Sequence, residues 1–220
     1  MRSWLLQLID FVEARVDLAD HHLMVLLKVR LTAHEVLPED LAGHLDQAIT
    51  GFRYDMQEPG HDHMCTWTES HQLAFASCEY LAGQIFPKRS FSNDGRSGLT
   101  KQAQARTRLL HWMEDRFRHG FSEWLSPDYY RVMIVALTLL VEHAEDEDLV
   151  ERATMVLDLL MLDVALHRFE GQFVAAGARL RLEDQVNPGA SPLAPILEAA
   201  FGRPPRFDHT ELFSIFLTRE

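Results

Sequence analysis

The sequence predicts an all-α chain built as a succession of antiparallel helical hairpins. Three observations lead to this reading. Apolar residues recur at helical spacing through most of the first 170 positions. Two very apolar segments are separated only by the short acidic turn EDED at positions 145–148, so they lie antiparallel. A hydrophobic content of 47% over 220 residues is ample for a packed core.

The elements follow in order. Helical spacing marks segments near Ser3–Val16, Asp20–His34 and Pro38–Phe52, the last opened by a proline suited to a first turn. From Arg53 to Thr68 the pattern lapses into RYDMQEPGHDHMCTWT, a loop by composition with unusual aromatic and imidazole content. A helix then runs from about Glu69 to Phe86 with Thr68 as its expected amino-terminal cap, until Pro87 and the SNDGRSG segment end it. The SNDGRSG stretch carries glycines and an arginine but no Walker pattern, and reads as a connector. The next helix spans about Thr100–Arg118. After HGFSEWLSP, the segments Asp128–Ala144 and Glu147–Phe169 are apolar nearly all round, as in helices packed on several sides. Beyond Gly171, prolines and glycines interrupt the pattern, and only Ala194–Phe201 and Thr210–Leu217 look regular. The expected division is therefore a helical-hairpin domain over 1–171 and an irregular extension with short helices over 172–220.

Charge and composition narrow the partners. With 21 basic and 33 acidic residues the formal charge is −12, which opposes binding to nucleic acid or an anionic membrane. The longest apolar stretch, Val132–Val141, is broken by Thr138 and falls short of the ~20 residues needed to cross a bilayer. Two cysteines are too few to staple a fold of this size, and the amino terminus meets an acid before a secretory-length apolar run develops. A reducing cytoplasm is the expected setting.

Three motifs carry a resemblance: WTESHQ (Trp67–Gln72), YLAGQIFP (Tyr80–Pro87) and GFSEW (Gly120–Trp124). With them, the stretch Cys65–Gly171 resembles a group of large, mostly uncharacterised bacterial proteins with a helical toroid domain, marked by W-x-E-N-H-Q, Y-L-A-G-Q-x-F-P and G-F-S-E-W. The resemblance implies a fold like part of an α/α toroid, an architecture also found in polysaccharide lyases and glycosidases. It therefore implies a carbohydrate-active or carbohydrate-binding protein whose partner is a poly- or oligosaccharide. One position departs from the pattern: Ser70 stands where the family has Asn. In alginate-lyase-like sites an Asn beside the catalytic His neutralises the substrate carboxylate. The seven or so clear helices are also fewer than a closed toroid needs, so the chain reads as a shortened relative whose exposed apolar faces favour self-association.

The candidate site joins a helix start to a later connector. Glu69, His71, Glu123 and Tyr130 are the candidate catalytic residues, with Trp67, Trp124, Tyr80 and Tyr129 as candidate substrate contacts. Two carboxylates such as Glu69 and Glu123 suit acid and base roles across a glycosidic bond, with tryptophans stacking on sugar faces. In an elimination, His71 takes the α-proton and a tyrosine protonates the leaving oxygen. The plainer alternative has Glu69 favouring a helix amino terminus and His71 serving as a hydrogen-bonded core histidine, within a non-catalytic scaffold or interaction protein.

Two further clusters carry ligand-type or charged residues. His61, His63 and Cys65 are ligand types that zinc accepts, but chance clustering among 12 histidines accounts for them, and neither a metal nor another cofactor is expected. Asp163, His167 and Glu170 share a face of the helix that also carries Asp158, where a solvated stripe or arginine pairs are expected. No G-x-S-x-G occurs, which sets nucleophilic triad chemistry aside.

Overall fold

A computed structural model describes residues 2–202, so the segment Thr210–Leu217 lies outside the described residues. The chain folds as predicted, all-α, in a run of hairpins. Helix α1 (Arg2–Glu13) buries Leu5, Leu8, Ile9 and Val12, one helical face, against α2 (Ala19–Ala33) and α3 (Glu39–Gly51). The long helix α4 (Glu69–Ile85) is buried on nearly every side because α5 (Gly98–His119), α6 (Pro127–His143) and α2 all pack on it. Helix α7 (Glu147–Leu166) closes the array on α6 and α5. Among the described residues no helix is long and apolar enough to cross a membrane.

The α4–α5 hairpin depends on two glycines. A Cβ on Gly83 would lie 2.5 Å from the Gly98 carbonyl oxygen, and one on Gly98 would strike the Phe86 carbonyl. The backbones approach so closely there that only hydrogen fits.

Two boundaries depart from the sequence expectation. Thr68 occupies the position before α4 but makes no side-chain cap; that task falls to Glu123, whose Oε2 accepts from the Ser70 amide at 2.8 Å. Helix α7 stops at Leu166 instead of reaching Phe169, since Glu170 and Gly171 both adopt positive φ (49° and 85°). This turn pairs β1 (Arg168–Phe169) with β2 (Gln172–Phe173) in a small antiparallel hairpin. Past it, α8 (Leu182–Val186) and α9 (Ala194–Phe201) follow, the latter burying Ile196 and Leu197.

A buried ionic knot ties the loops to this frame. Lys101 on α5, with a fully buried side chain, pairs with Glu58 from the loop before α4, lies 2.7 Å from Asp94 and lies 3.5 Å from Glu79 of α4. Arg108 joins the set by pairing with Glu79 and, at 2.6 Å, with Asp55. Burial pushes the Glu79 carboxyl up to about 7 although Arg108 and Lys101 oppose the shift, with Glu58 and Asp55 adding to it.

Candidate functional site

A cleft of about 260 Å³ opens where four stretches distant in sequence converge. The α1–α2 connector and α2 bring Asp17 and His21, the loop before α4 brings Cys65 and Thr68, and the first turn of α4 brings His71. The start of α6 contributes Tyr129 and Arg131, and the segment after β2 contributes Arg179 and Arg181.

His71 is the chemical centre of this cleft. Its Nδ1 lies 2.6 Å from Oδ2 of Asp20, a carboxylate only 1% exposed. Asp20 thereby fixes the ring's orientation and leaves Nε2 for the cleft, the arrangement that prepares an imidazole for proton transfer. Burial works against the charged ring, but the hydrogen bond and field of Asp20, with Asp17 and Glu123 behind it, prevail and raise the His71 pKa above its ordinary value. The His21 ring stacks on His71 with centroids 5.0 Å apart and planes 13° from parallel. Burial brings the His21 pKa down to about 4, against the opposing field of Asp20, so this second ring is neutral at physiological pH.

Arginines also line the cleft. Arg179 Nη1 lies 3.3 Å from the Tyr129 hydroxyl, which accepts its hydrogen bond, and the guanidinium sits over the Tyr129 ring at 5.4 Å. The same nitrogen stands 3.5 Å from Glu123, and Arg181 pairs with Asp128 at 2.6 Å.

The eight residues singled out from sequence divide into four groups. His71 and Tyr129 line the cleft. Glu69 and Glu123 come together next to it, but as a structural clamp. Glu69 Oε2 accepts from the Glu123 amide at 2.9 Å and from the Ser122 hydroxyl at 2.6 Å, while its Oε1 takes Arg116 at 2.5 Å. Glu123 in turn holds the Ser70 amide, and the Trp112 indole donates to the Glu69 carbonyl at 3.0 Å. Both carboxylates are about 5% exposed, so their geometry fits holding the backbone better than reaching a substrate. Trp67 and Trp124 are exposed, on segments that flank the cleft.

The remaining two tyrosines sit elsewhere. Tyr130 is buried and donates to Asp163 Oδ2 at 2.8 Å, and burial together with this partner pushes its pKa far up. Tyr129, its neighbour, takes the place in the cleft that sequence reasoning gave to Tyr130, because one step along a helix turns a side chain by about 100°. Tyr80 lies nine residues along α4 from His71, about 13 Å at helical rise, with its hydroxyl engaged by Gln102.

His61 and His63 are exposed on the loop and do not enter a ligand cluster. The cluster of metal-ligating type among the described residues is Asp20, His21 and His71, all buried. Asp158 is exposed, as the solvated reading of that stripe requires, and Asp163 serves Tyr130.

Sequence reasoning missed Asp20, His21 and the three arginines. The first two had a signal: ADHHLMVLLKVRL is a helix rich in apolar residues, so an acid and a histidine buried in it need partners. The arginines had none, since they come from α6 and from an irregular segment. Comparison of the chain with protein-family models, with curated proteins and with solved structures gave no match.

Proposed function

We propose that the cleft binds an acidic oligo- or polysaccharide and cleaves it by β-elimination, with His71 as the base. The observation that carries this reading is the Asp20–His71 pair at a cleft that Arg131, Arg179 and Arg181 also line. His71 Nε2 takes the proton α to the uronate carboxylate. The electron pair of that C–H bond forms the new carbon–carbon double bond as the adjacent C–O bond breaks. Tyr129 gives its phenolic proton to the leaving oxygen and recovers one from solvent. The α-proton becomes acidic enough only if the carboxylate is neutralised, which Ser70 cannot do through an amide. Arg131 and Arg179 supply positive charge in its place. The exposed indoles of Trp67 and Trp124 give flat apolar faces for sugar rings on either side. A two-carboxylate hydrolase built on Glu69 and Glu123 has less support, because both groups already hold backbone amides.

Incubation of the purified chain with polyuronates and neutral glucans tests this directly. Ultraviolet absorbance of unsaturated products, lost in His71→Ala with unchanged circular dichroism, is the expected result. New reducing ends without that absorbance indicate hydrolysis instead, and silence in both with an intact fold sinks the enzymatic reading.

A further inference from the structure

We propose that Asp20, His21 and His71 form a binding site for one divalent transition-metal ion of the zinc type at the floor of the cleft. This inference goes beyond the saccharide reading and does not depend on it. Imidazole nitrogen and carboxylate oxygen are donors that zinc takes, and catalytic-type sites hold the ion with three protein ligands and one open position. Here one donor atom from each of the three residues lies within 4.8 Å of the others. Their side chains are nearly enclosed, with Asp20 1%, His21 8% and His71 5% exposed.

An independent observation points to a ligand. Oδ1 of Asp20 is buried and has no hydrogen-bond partner among the described residues, although its other oxygen is held by His71. An uncompensated carboxylate oxygen in such a place is costly unless something cationic meets it. The metal-ligand geometry is within reach. Ligand atoms around tetrahedral zinc stand about 3.3 Å apart. His71 Nδ1 and Asp20 Oδ2 at 2.6 Å must therefore open slightly, while His21 Nε2 at 3.9 Å from the same carboxylate must close slightly. Both adjustments are under about 1 Å. The site also has an entrance, since His21 and His71 line the same cleft as Cys65 and Thr68.

The ion competes for the imidazole on which the proposed elimination relies, so metal-loaded and base-competent forms of the chain exclude one another. The two proposals can therefore fail separately: metal binding is read without saccharide, and elimination is read in the presence of a chelator.

The test uses chelator-stripped whole chain titrated with Co²⁺ and then Zn²⁺. The expected result is visible absorption of tetrahedral intensity saturating at one Co²⁺ per chain and bleached by one Zn²⁺. His21→Gln weakens binding by about tenfold or more, whereas the double variant His61→Gln/His63→Gln, on the exposed loop, leaves it unchanged. Absence of saturable binding to the stripped wild-type chain overturns the proposal without recourse to any variant. So does binding that survives His21→Gln but vanishes in the loop variant. Should His21→Gln fail to fold, Asp20→Asn, which keeps size and shape, replaces it with the same expected loss.

Discussion

Replacing Lys101 by Met should be among the most damaging single changes in this chain. The ammonium is fully buried and faces Glu58, Glu79 and Asp94, whose side chains are 1–3% exposed. Methionine fills the space but leaves three carboxylates to be offset only by Arg108, which Glu79 shares with Asp55, and by Arg96, 3.7 Å from Asp94. Breaking a buried ion pair from one side costs about 3–5 kcal/mol, a large share of the roughly 5–15 kcal/mol that holds a typical domain folded. Relief can come from proton uptake by Glu79, which burial already pushes up to about 7 in the presence of both cations. The loss should therefore be full at pH 8 and clearly smaller at pH 5, where Glu79 is neutral. Urea denaturation followed by far-ultraviolet circular dichroism at the two pH values measures it. A loss under about 1 kcal/mol at pH 8, against the 3–5 expected for a broken buried pair, or an equal loss at both pH values, would refute the reasoning.

Three other outcomes follow from the same geometry. Glu79 has a folded-state pKa raised from 4.5 to about 7, so its contribution is fully present below pH 4.5 and is lost as pH rises through 7. Glu79→Gln should then flatten the stability–pH profile by up to about 3 kcal/mol across that window, and a profile parallel to wild type would contradict it. Gly98→Ala places a methyl group against the Phe86 carbonyl and should lower stability by about 1–3 kcal/mol or more, read as a fall in melting temperature. Glu69→Gln removes the charge that faces Arg116 and should cost stability on the order of 3 kcal/mol; a variant that keeps its melting temperature but loses turnover would instead return Glu69 to catalysis.

The fold was largely legible because its signal is local. The spacing in α4, the acidic turn before α7 and the proline opening α3 each act within a few residues, and all three elements stand where periodicity put them. The ends were less legible. Helix α7 stops early because Glu170 and Gly171 take left-handed conformations that only a glycine announces. Thr68 looks like a cap but is displaced by Glu123, fifty-three positions from the amide it holds. The site was half legible for a related reason. His71 could be found from its own motif, whereas its orienting partner Asp20 sits 51 positions away on another helix. Glu69 and Glu123 were correctly brought together, but nothing in a one-dimensional pattern distinguishes a carboxylate that grips an amide from one that faces a substrate.

The crossed grip of these two glutamates has a consequence for how such chains can drift over generations. Each carboxylate serves the backbone beside the other, so losing either one strands an amide that its counterpart cannot satisfy. Neither position is then free to change by itself, and a tolerated exchange at one should be accompanied by an exchange at the other. The start of α4 and the connector before α6 should thus change together or not at all, although more than fifty residues of sequence separate them.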